Sequence, residues 1–562
     1  MKHKISKTFI LLLAVSTLLT MSCKKQIDDA YQNPNAPTRV PIETILPGLI
    51  GNFLGSSSNA GSSYGLGGDG LLIGRYIQYW GTNATSTTVN AGTQYDQMGG
   101  TQTTSDNLGS LWGAFYYGMG QNLNRVIDWG TEEQKWDYVG VAFAIRSWGW
   151  LELANEYDNA IIVRQSFNTS LQSFNYDSTY LAYDSCRAAA YKALAFLSRT
   201  DGAVSASNLA LGDAYFYNGD VSKWKKFVYG VLARSYNYLS NKSAYLTSYA
   251  DSAIYYAGLA MTTNADNATC KFASSGLSGT NSYMGIIRSN VGTIRQSAYI
   301  ANLMTGANTT AFTGVTDPRV WYMLRENTNG TIKGITPWNG SSGLTTADQP
   351  QNFWGGTYAT TSTPPNENNC RYLFRNTAPF PIMTASEMQF IKAEAAYRKG
   401  DKVTALAAYT NAISLNIDML ISDYSINVPV AKQITPAMKA SFMSNTAIVP
   451  TNPANLTLTH IMLQKYIALF GWGMQETWTD MRRFHYTDTD PATTKQVYAD
   501  FTPPSGSNLY TGNNGKLVYR CRPRYNSEYI YNVPSLQKVG AIDAAGSQIT
   551  DYCTKEGWFS QN

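Results

Sequence analysis

Between residues 384 and 413 the apolar positions recur with a helical beat. Met388, Ile391 and Ala395 fall three and four residues apart, behind Thr384-Ala385-Ser386-Glu387. That opening reads as a capping box, in which the Thr and Glu side chains satisfy each other's exposed amides. Gly400 stops this helix, and Asp401 can cap a second one with the stripe Leu406, Tyr409 and Ile413. The unit is a pair of helices joined by a tight turn.

Weaker copies lie upstream. Tyr183 to Leu197 and Tyr245 to Met261 carry Ala at spacings of three and four. Between them Asp220 precedes a stripe of Val221, Trp224, Val228 and Val231. Helices are also predicted over 108–128, 133–156 and 456–485. Ala393 to Tyr397, Gly400-Asp401 and Ala405 to Ile413 look like a tetratricopeptide repeat. Repeats of this kind bury their faces only by stacking, so they should form a right-handed scaffold. The expected fold is all-α: tetratricopeptide-like helical repeats with long irregular loops and an irregular C-terminal part.

Polar stretches interrupt the helices. Residues 55–70 are mostly Gly and Ser, 81–107 are rich in Thr, Asn and Gln, and 327–369 mix Asn, Gly, Thr and Pro. Loops this long usually carry function. The tail, 501–562, is rich in Pro, Gly and Tyr and should pack as irregular structure on the helices.

Composition narrows the chemistry. Charged residues make up only 14% of the 562, against roughly 25% in an ordinary soluble domain, while aromatics reach 13%. The surface is therefore covered by Asn, Ser, Thr, Gly and Tyr, which suits neutral hydrogen bonds and stacking. Net charge is +5, part of it from Lys2, Lys4 and Lys7, and no basic run marks a nucleic-acid footprint. Three His and no CxxC disfavour a His-based catalytic centre, a metal centre or an iron–sulfur site, and no cofactor is expected. Five cysteines (Cys186, Cys270, Cys370, Cys521, Cys553) leave at least one thiol unpaired, and any disulfide pairing stays open.

The N-terminus reads as a leader. Three lysines precede an apolar run from Phe9 to Met21, too short to span a bilayer permanently. Thr20-Met21-Ser22-Cys23 resembles a bacterial lipobox, which implies a signal peptide over 1–22, acylation of Cys23 and a single domain over 23–562. Lys24 to Asp29 resembles a surface-export signal of Bacteroidetes lipoproteins.

Further motifs follow in order. Asn33 to Thr38 reads NPNAPT, and Asn218 to Phe227 carries GD-x-x-KW-x-KF. Gln464-Lys465-Tyr466 precedes Glu476-Thr477-Trp478-Thr479-Asp480-Met481-Arg482-Arg483, and Arg522-Pro523-Arg524-Tyr525 leads to Glu528. Together with Thr384 to Tyr397 these resemble the SusD/RagB family of outer-membrane nutrient-binding lipoproteins. Two departures stand out: Arg524 displaces the usual Pro, and Leu153 to Asn159 replaces an LYGD-P element. The resemblance implies a lipid-anchored, surface-exposed outer-membrane protein with no catalytic residues. Its partner would be a TonB-dependent, SusC-like barrel, over which it sits as a lid. The cargo is usually an oligosaccharide and in some relatives a peptide. The motifs themselves are expected to fix helix packing.

A pyranose ring offers an apolar face to Trp or Tyr and hydroxyls to Asn or Gln. Candidates of that kind are Trp80 with Asn83, Tyr95, Trp338 with Asn339, and Trp354 with Tyr358. The plain alternative is that each Trp plugs its loop onto the helical core. Gly65 to Gly70 satisfies G-x-G-x-x-G but follows no strand, so no dinucleotide site is read there. Glu152 and Glu156, one turn apart, could mimic a glycosidase pair but are expected on a solvated helix face.

Overall fold

The computed structural model describes residues 39–55, 65–82, 96–99, 108–273, 280–356 and 366–562. Cys23 and its leader, Asn83, Tyr95 and Tyr358 lie outside them. Helices of seven or more residues are α1 (Ile42–Gly51), α2 (Leu66–Tyr76), α3 (Gly120–Glu132), α4 (Trp136–Tyr157), α5 (Thr179–Leu197) and α6 (Ala206–Asp213). They continue as α7 (Val221–Asn237), α8 (Ala250–Leu259), α9 (Ala298–Thr305), α10 (Ala385–Arg398), α11 (Lys402–Asp423) and α12 (Pro436–Ser444). The last are α13 (Leu458–Ala468), α14 (Met474–Arg483) and α15 (Tyr525–Tyr531). The strands, β1 (Trp80–Thr82), β2 (Ala268–Cys270), β3 (Ile294–Gln296) and β4 (Phe380–Met383), make two antiparallel pairs, β1–β3 and β2–β4.

The helices stack in order, α3 on α4, α4 on α5, α5 on α7, α7 on α8 and α10 on α11. This is the expected tetratricopeptide-like array. Its continuity in space is greater than in sequence, because α8 packs directly on α10 across 125 intervening residues. That insertion carries α9 and most of the β structure.

Local signals account for the helix ends. Asp220 accepts the amides of Ser222 and Lys223 at 2.9 and 3.2 Å, and Asp401 accepts that of Thr404 at 3.0 Å. Gly219 must stay glycine: its φ is +83°, and a Cβ would lie 2.1 Å from the Ala206 carbonyl. The predicted helix over 456–485 is two helices, α13 and α14, because Gly471 turns the chain at φ +84°. Leu66 to Gly70, predicted as loop, is the first turn of α2. Its glycines admit close neighbours: a Cβ on Gly70 would lie 2.1 Å from Met474 Cε, and one on Gly74 would lie 2.4 Å from the Trp80 ring.

The motif charges are inside. Arg234 on α7 donates to both Glu387 oxygens at 2.7 Å and to Glu152 at 3.2 Å and forms an ion pair with Glu476 at 2.8 Å, so one guanidinium ties α4, α7, α10 and α14 together. This is why the predicted capping box forms by half. Thr384 Oγ1 accepts the Glu387 amide at 3.2 Å, but the Glu387 side chain turns inward to Arg234. A second knot joins Arg483 to Glu394 (2.7 Å) and Asp480 (2.6 Å), with Lys465 on Asp480 at 2.7 Å. Removing one partner from such a knot costs about 3–5 kcal/mol, because it leaves an uncompensated buried charge.

Glu152 and Glu156 are therefore not on a solvated face; they are 3% and 2% exposed. Three carboxylates share Arg234, and burial with the neighbouring acids pushes Glu152 well above the usual carboxylate range. Burial outweighs the pull of Arg234 on Glu476 and raises it to about 7. Glu156 faces Asp69, which accepts the amides of Gly109, Ser110 and Leu111 at 2.9, 3.0 and 2.7 Å. Burial and the Asp69 charge raise Glu156 well above the usual carboxylate range, and burial raises Asp69 as well.

Candidate functional site

Four segments converge on a groove of about 440 Å³ beside the β1–β3 pair. Trp80 pairs with Gln296 and Thr82 with Ile294. On the other edge of β3, Ile335 accepts from Ala298 N at 2.8 Å and donates to Gln296 O at 2.9 Å. This stitches the turn from Thr336 to Gly340 onto the strand pair. Gly81 permits it, since a Cβ there would lie 2.8 Å from Pro337 Cα. Trp338 and Asn339 form the tip of the turn, both half-buried. Asn339 N donates to Thr336 O at 2.9 Å, and its side-chain amide reaches Ser342 O at 3.3 Å.

The opposite wall comes from the C-terminal end of α9 and the turn after it. Asn302 and Thr309 are exposed there, and Tyr299 forms the floor, its hydroxyl on Ala499 O at 3.2 Å. Asp500 pins this wall. It accepts Thr309 N at 2.5 Å, Thr309 Oγ1 at 2.9 Å and Thr310 N at 3.0 Å on one oxygen, and Thr310 Oγ1 at 2.5 Å on the other. Partial burial would raise this carboxyl, but those hydroxyl and amide donors together hold it below its usual value. A carboxylate held low in this way does not act as a general acid. Gln78 closes the third side through Nε2 on Thr502 O at 2.6 Å. The groove thus offers one partly exposed indole among hydroxyl and amide groups.

Of the residues singled out in the sequence, the structure brings Trp338 to this groove, with Asn339 next to it. Trp80 lies behind it as a core plug, 1% exposed, its indole N–H on Leu71 O at 2.8 Å and its ring edge-on to Phe353 and Phe470. Trp354 is 5% exposed, with its N–H on Met284 O at 2.8 Å and its ring against Gly292. For these two, the loop-plug alternative describes the observed packing: neither ring is presented for stacking. Gln78, Tyr299, Asn302, Thr309 and Asp500 were not singled out. Asn308-Thr309-Thr310 carries a turn signal, because Asn308 Oδ1 accepts the amides of Thr310 and Ala311 at 3.1 and 3.0 Å, but a turn signal does not announce a groove.

Among the described residues no group of three or more His, Cys, Asp or Glu is placed to hold a metal ion, and the five cysteines are free and buried. Thr457 caps α13 by accepting the His460 amide at 3.2 Å and shares a 2.7 Å bond with His460 Nδ1, and His485 bridges Asp488 (2.7 Å) and Glu556 (2.9 Å). No described helix is long and apolar enough to cross a membrane.

A helical-repeat array carrying a polar groove with one indole is the build of a binding protein. The sequence profile of SusD-like proteins, described as starch-binding and associating with the outer membrane, matches residues 67–505, and the chain belongs to this SusD/RagB family of non-catalytic, outer-membrane nutrient-binding proteins. A SusD/RagB family protein from Bacteroides thetaiotaomicron has the same fold at 18% identity and TM-score 0.68, over 93% of this chain and 99% of its own. A SusD homologue from Bacteroides fragilis aligns at 17% identity and TM-score 0.64, over 93% and 100%. A chitin-binding protein aligns at 18% identity and TM-score 0.63, over 93% and 100%. No curated protein sequence matches the chain.

Proposed function

We propose that this protein captures a neutral oligosaccharide in the groove beside Trp338 and closes as a lid over a TonB-dependent, SusC-like outer-membrane barrel. Acyl chains on Cys23 would hold it at the cell surface. The observation that carries this reading is the groove itself: a half-buried indole opposite Asn302 and Thr309, with its one carboxylate, Asp500, bonded to the hydroxyl and amide donors of Thr309 and Thr310. Such a surface takes a ring with an apolar face and hydroxyl edges, and its lining offers no cation to neutralise the carboxylate terminus of a peptide. The family's starch-binding description and the chitin-binding relative of the same fold point to the same class of cargo. Closure over the barrel would follow from tighter cargo binding in the closed assembly than in the open one.

Calorimetric titration of the unlipidated protein against plant, fungal and host oligosaccharides tests the cargo. A saturable heat with one linkage class, lost in Trp338→Ala while the circular dichroism spectrum is kept, is expected. Heat with peptides instead of glycans would overturn the cargo assignment, and undiminished glycan heat in Trp338→Ala would overturn the groove. Co-purification with a barrel protein from membranes, lost in Cys23→Ala, tests the lid and anchor.

A further inference from the structure

A second cavity, of about 230 Å³, opens where the segment before α3 meets the loop after α4 and the start of α15. Trp112 and Glu528 lie at its floor, 1% and 5% exposed. Tyr116, Phe167 and Phe174 wall it, half-buried, and Tyr117 stands at the rim, 49% exposed. Gln121, Ser166, Asn168 and Thr169 add amide and hydroxyl groups around these rings. The groove at Trp338 does not account for this arrangement, and of the lining residues only Glu528 belongs to a family motif.

The backbone around the cavity departs from regular structure at two places. Gly113 to Met119 is a π-helix, a rare form that often occurs at functional sites, and Tyr116 and Tyr117 on it line the same opening. Phe167 sits at φ +61°, a left-handed conformation uncommon for a bulky side chain and found chiefly where surrounding structure enforces it. The enforcing contacts are visible. Gln121 Nε2 donates to Phe167 O, and Phe115, Tyr116 and Trp150 back the Phe167 ring at 5.8, 6.1 and 6.3 Å.

Glu528 supplies the polar anchor. Its Oε2 accepts Tyr176 OH at 2.7 Å and Asn532 Nδ2 at 2.8 Å, whereas among the described residues Oε1 takes one bond, from Ser527 Oγ at 3.0 Å. A carboxylate oxygen has room for a second donor. A cage of rings around a carboxylate could also suit an organic cation. The charge balance argues otherwise, because the Arg524 guanidinium already lies 5.3 Å from the Tyr117 ring and acts on Glu528. Volume adds a limit: the cavity is smaller than the roughly 300–1,000 Å³ of pockets that enclose extended ligands.

We propose that this cavity is a second binding site, separate from the groove at Trp338, that takes a single neutral pyranose ring between Tyr117, Phe167 and Phe174, with a ring hydroxyl donating to Glu528 Oε1. It would hold the end or a branch of a glycan, and it stands whether or not the groove reading holds.

Saturation-transfer NMR on the protein tests this, with methyl glycosides of glucose, galactose, mannose, xylose and N-acetylglucosamine as probes and tetramethylammonium as the cationic control. Ring-proton transfer to at least one glycoside is expected. Its affinity should fall about tenfold in Tyr117→Ala, a rim substitution that leaves the melting curve unchanged, and stay within a few-fold in Trp338→Ala and in Glu528→Gln. Three results would overturn the proposal: no transfer to any glycoside at tens of millimolar, transfer lost in Trp338→Ala but kept in Tyr117→Ala, or tetramethylammonium binding abolished by Glu528→Gln. Loss of oligosaccharide heat in Trp338→Ala alongside intact monosaccharide transfer separates the two sites.

Discussion

The helical array and the irregular face it carries use similar residue types in opposite ways. In the array, Glu387, Glu394, Glu476, Asp480 and Arg483 belong to the recognisable motifs, and with Arg234 all are buried in ion-pair knots between helices. On the face, formed by the turns around β1–β3, α9 and the segment near Asp500, the groups left toward solvent are neutral: Trp338, Asn302 and Thr309. Two tryptophans make the contrast at close range. Trp80 and Trp338 sit on segments stitched to opposite edges of β3, yet one fills the core and the other faces the groove. Motif strength here marks what holds the helices together, and the cargo surface is built from residues with no motif at all.

The sharpest way to break this comparison is Arg234→Ala. It should destabilise the protein toward the upper end of about 3–5 kcal/mol by stranding Glu152, Glu387 and Glu476 without their cation, read by chemical denaturation. A loss under about 1 kcal/mol would mean the knot is not structural. Next, Trp80→Ala should cost about 3 kcal/mol through the cavity it leaves, whereas Trp338→Ala should cost less than about 1 kcal/mol and weaken cargo binding instead. Equal stability losses in the two variants would erase the distinction between plug and platform.

A smaller effect concerns pH. Glu476 is raised from 4.5 to about 7, so its proton is held more tightly in the folded state. Its contribution is full below the unfolded value near 4.5 and is lost as pH rises through about 7. Glu476→Gln should flatten the fall in stability across that window, by at most about 1.4 kcal/mol per pH unit for one linked proton. An unchanged slope would place the proton elsewhere. The smallest effect belongs to His485, raised from 6.5 to about 9, chiefly by its bond to Asp488 against partial burial and with further help from Glu556. Its contribution is present below pH 6.5 and fades as pH rises through about 9. His485→Gln should therefore lower the melting temperature slightly at pH 6 and leave it unchanged at pH 10. The pair is half-exposed, so the difference should stay under about 1 kcal/mol.

The array was legible because its signals are local. Asp220, Thr384 and Asp401 cap helices within three residues of themselves, Gly400 stops one at φ +85°, and the stripes through Met388 and Trp224 repeat within single helices. The motifs named the family for the same reason, since each is a short contiguous string. Where a side chain had to choose between a local and a distant partner, local reasoning failed: Glu387 left its cap for Arg234, and Glu152 and Glu156 went inside.

By itself, then, the order of residues determined an all-α, repeat-built, charge-poor chain with family motifs and aromatic loops. Only the tertiary structure decided which aromatics face solvent. Trp80, Trp338 and Trp354 share the same Trp-plus-small-polar context in the sequence. What separates them is a neighbour far along the chain: Phe470 against Trp80, Met284 O and Gly292 around Trp354, and open space beside Trp338. The same holds for the cavity of Trp112 and Glu528, whose floor joins residues more than four hundred positions apart. Burial of an amphipathic ring is set by the surfaces brought against it, and those contacts exist only once the chain is folded.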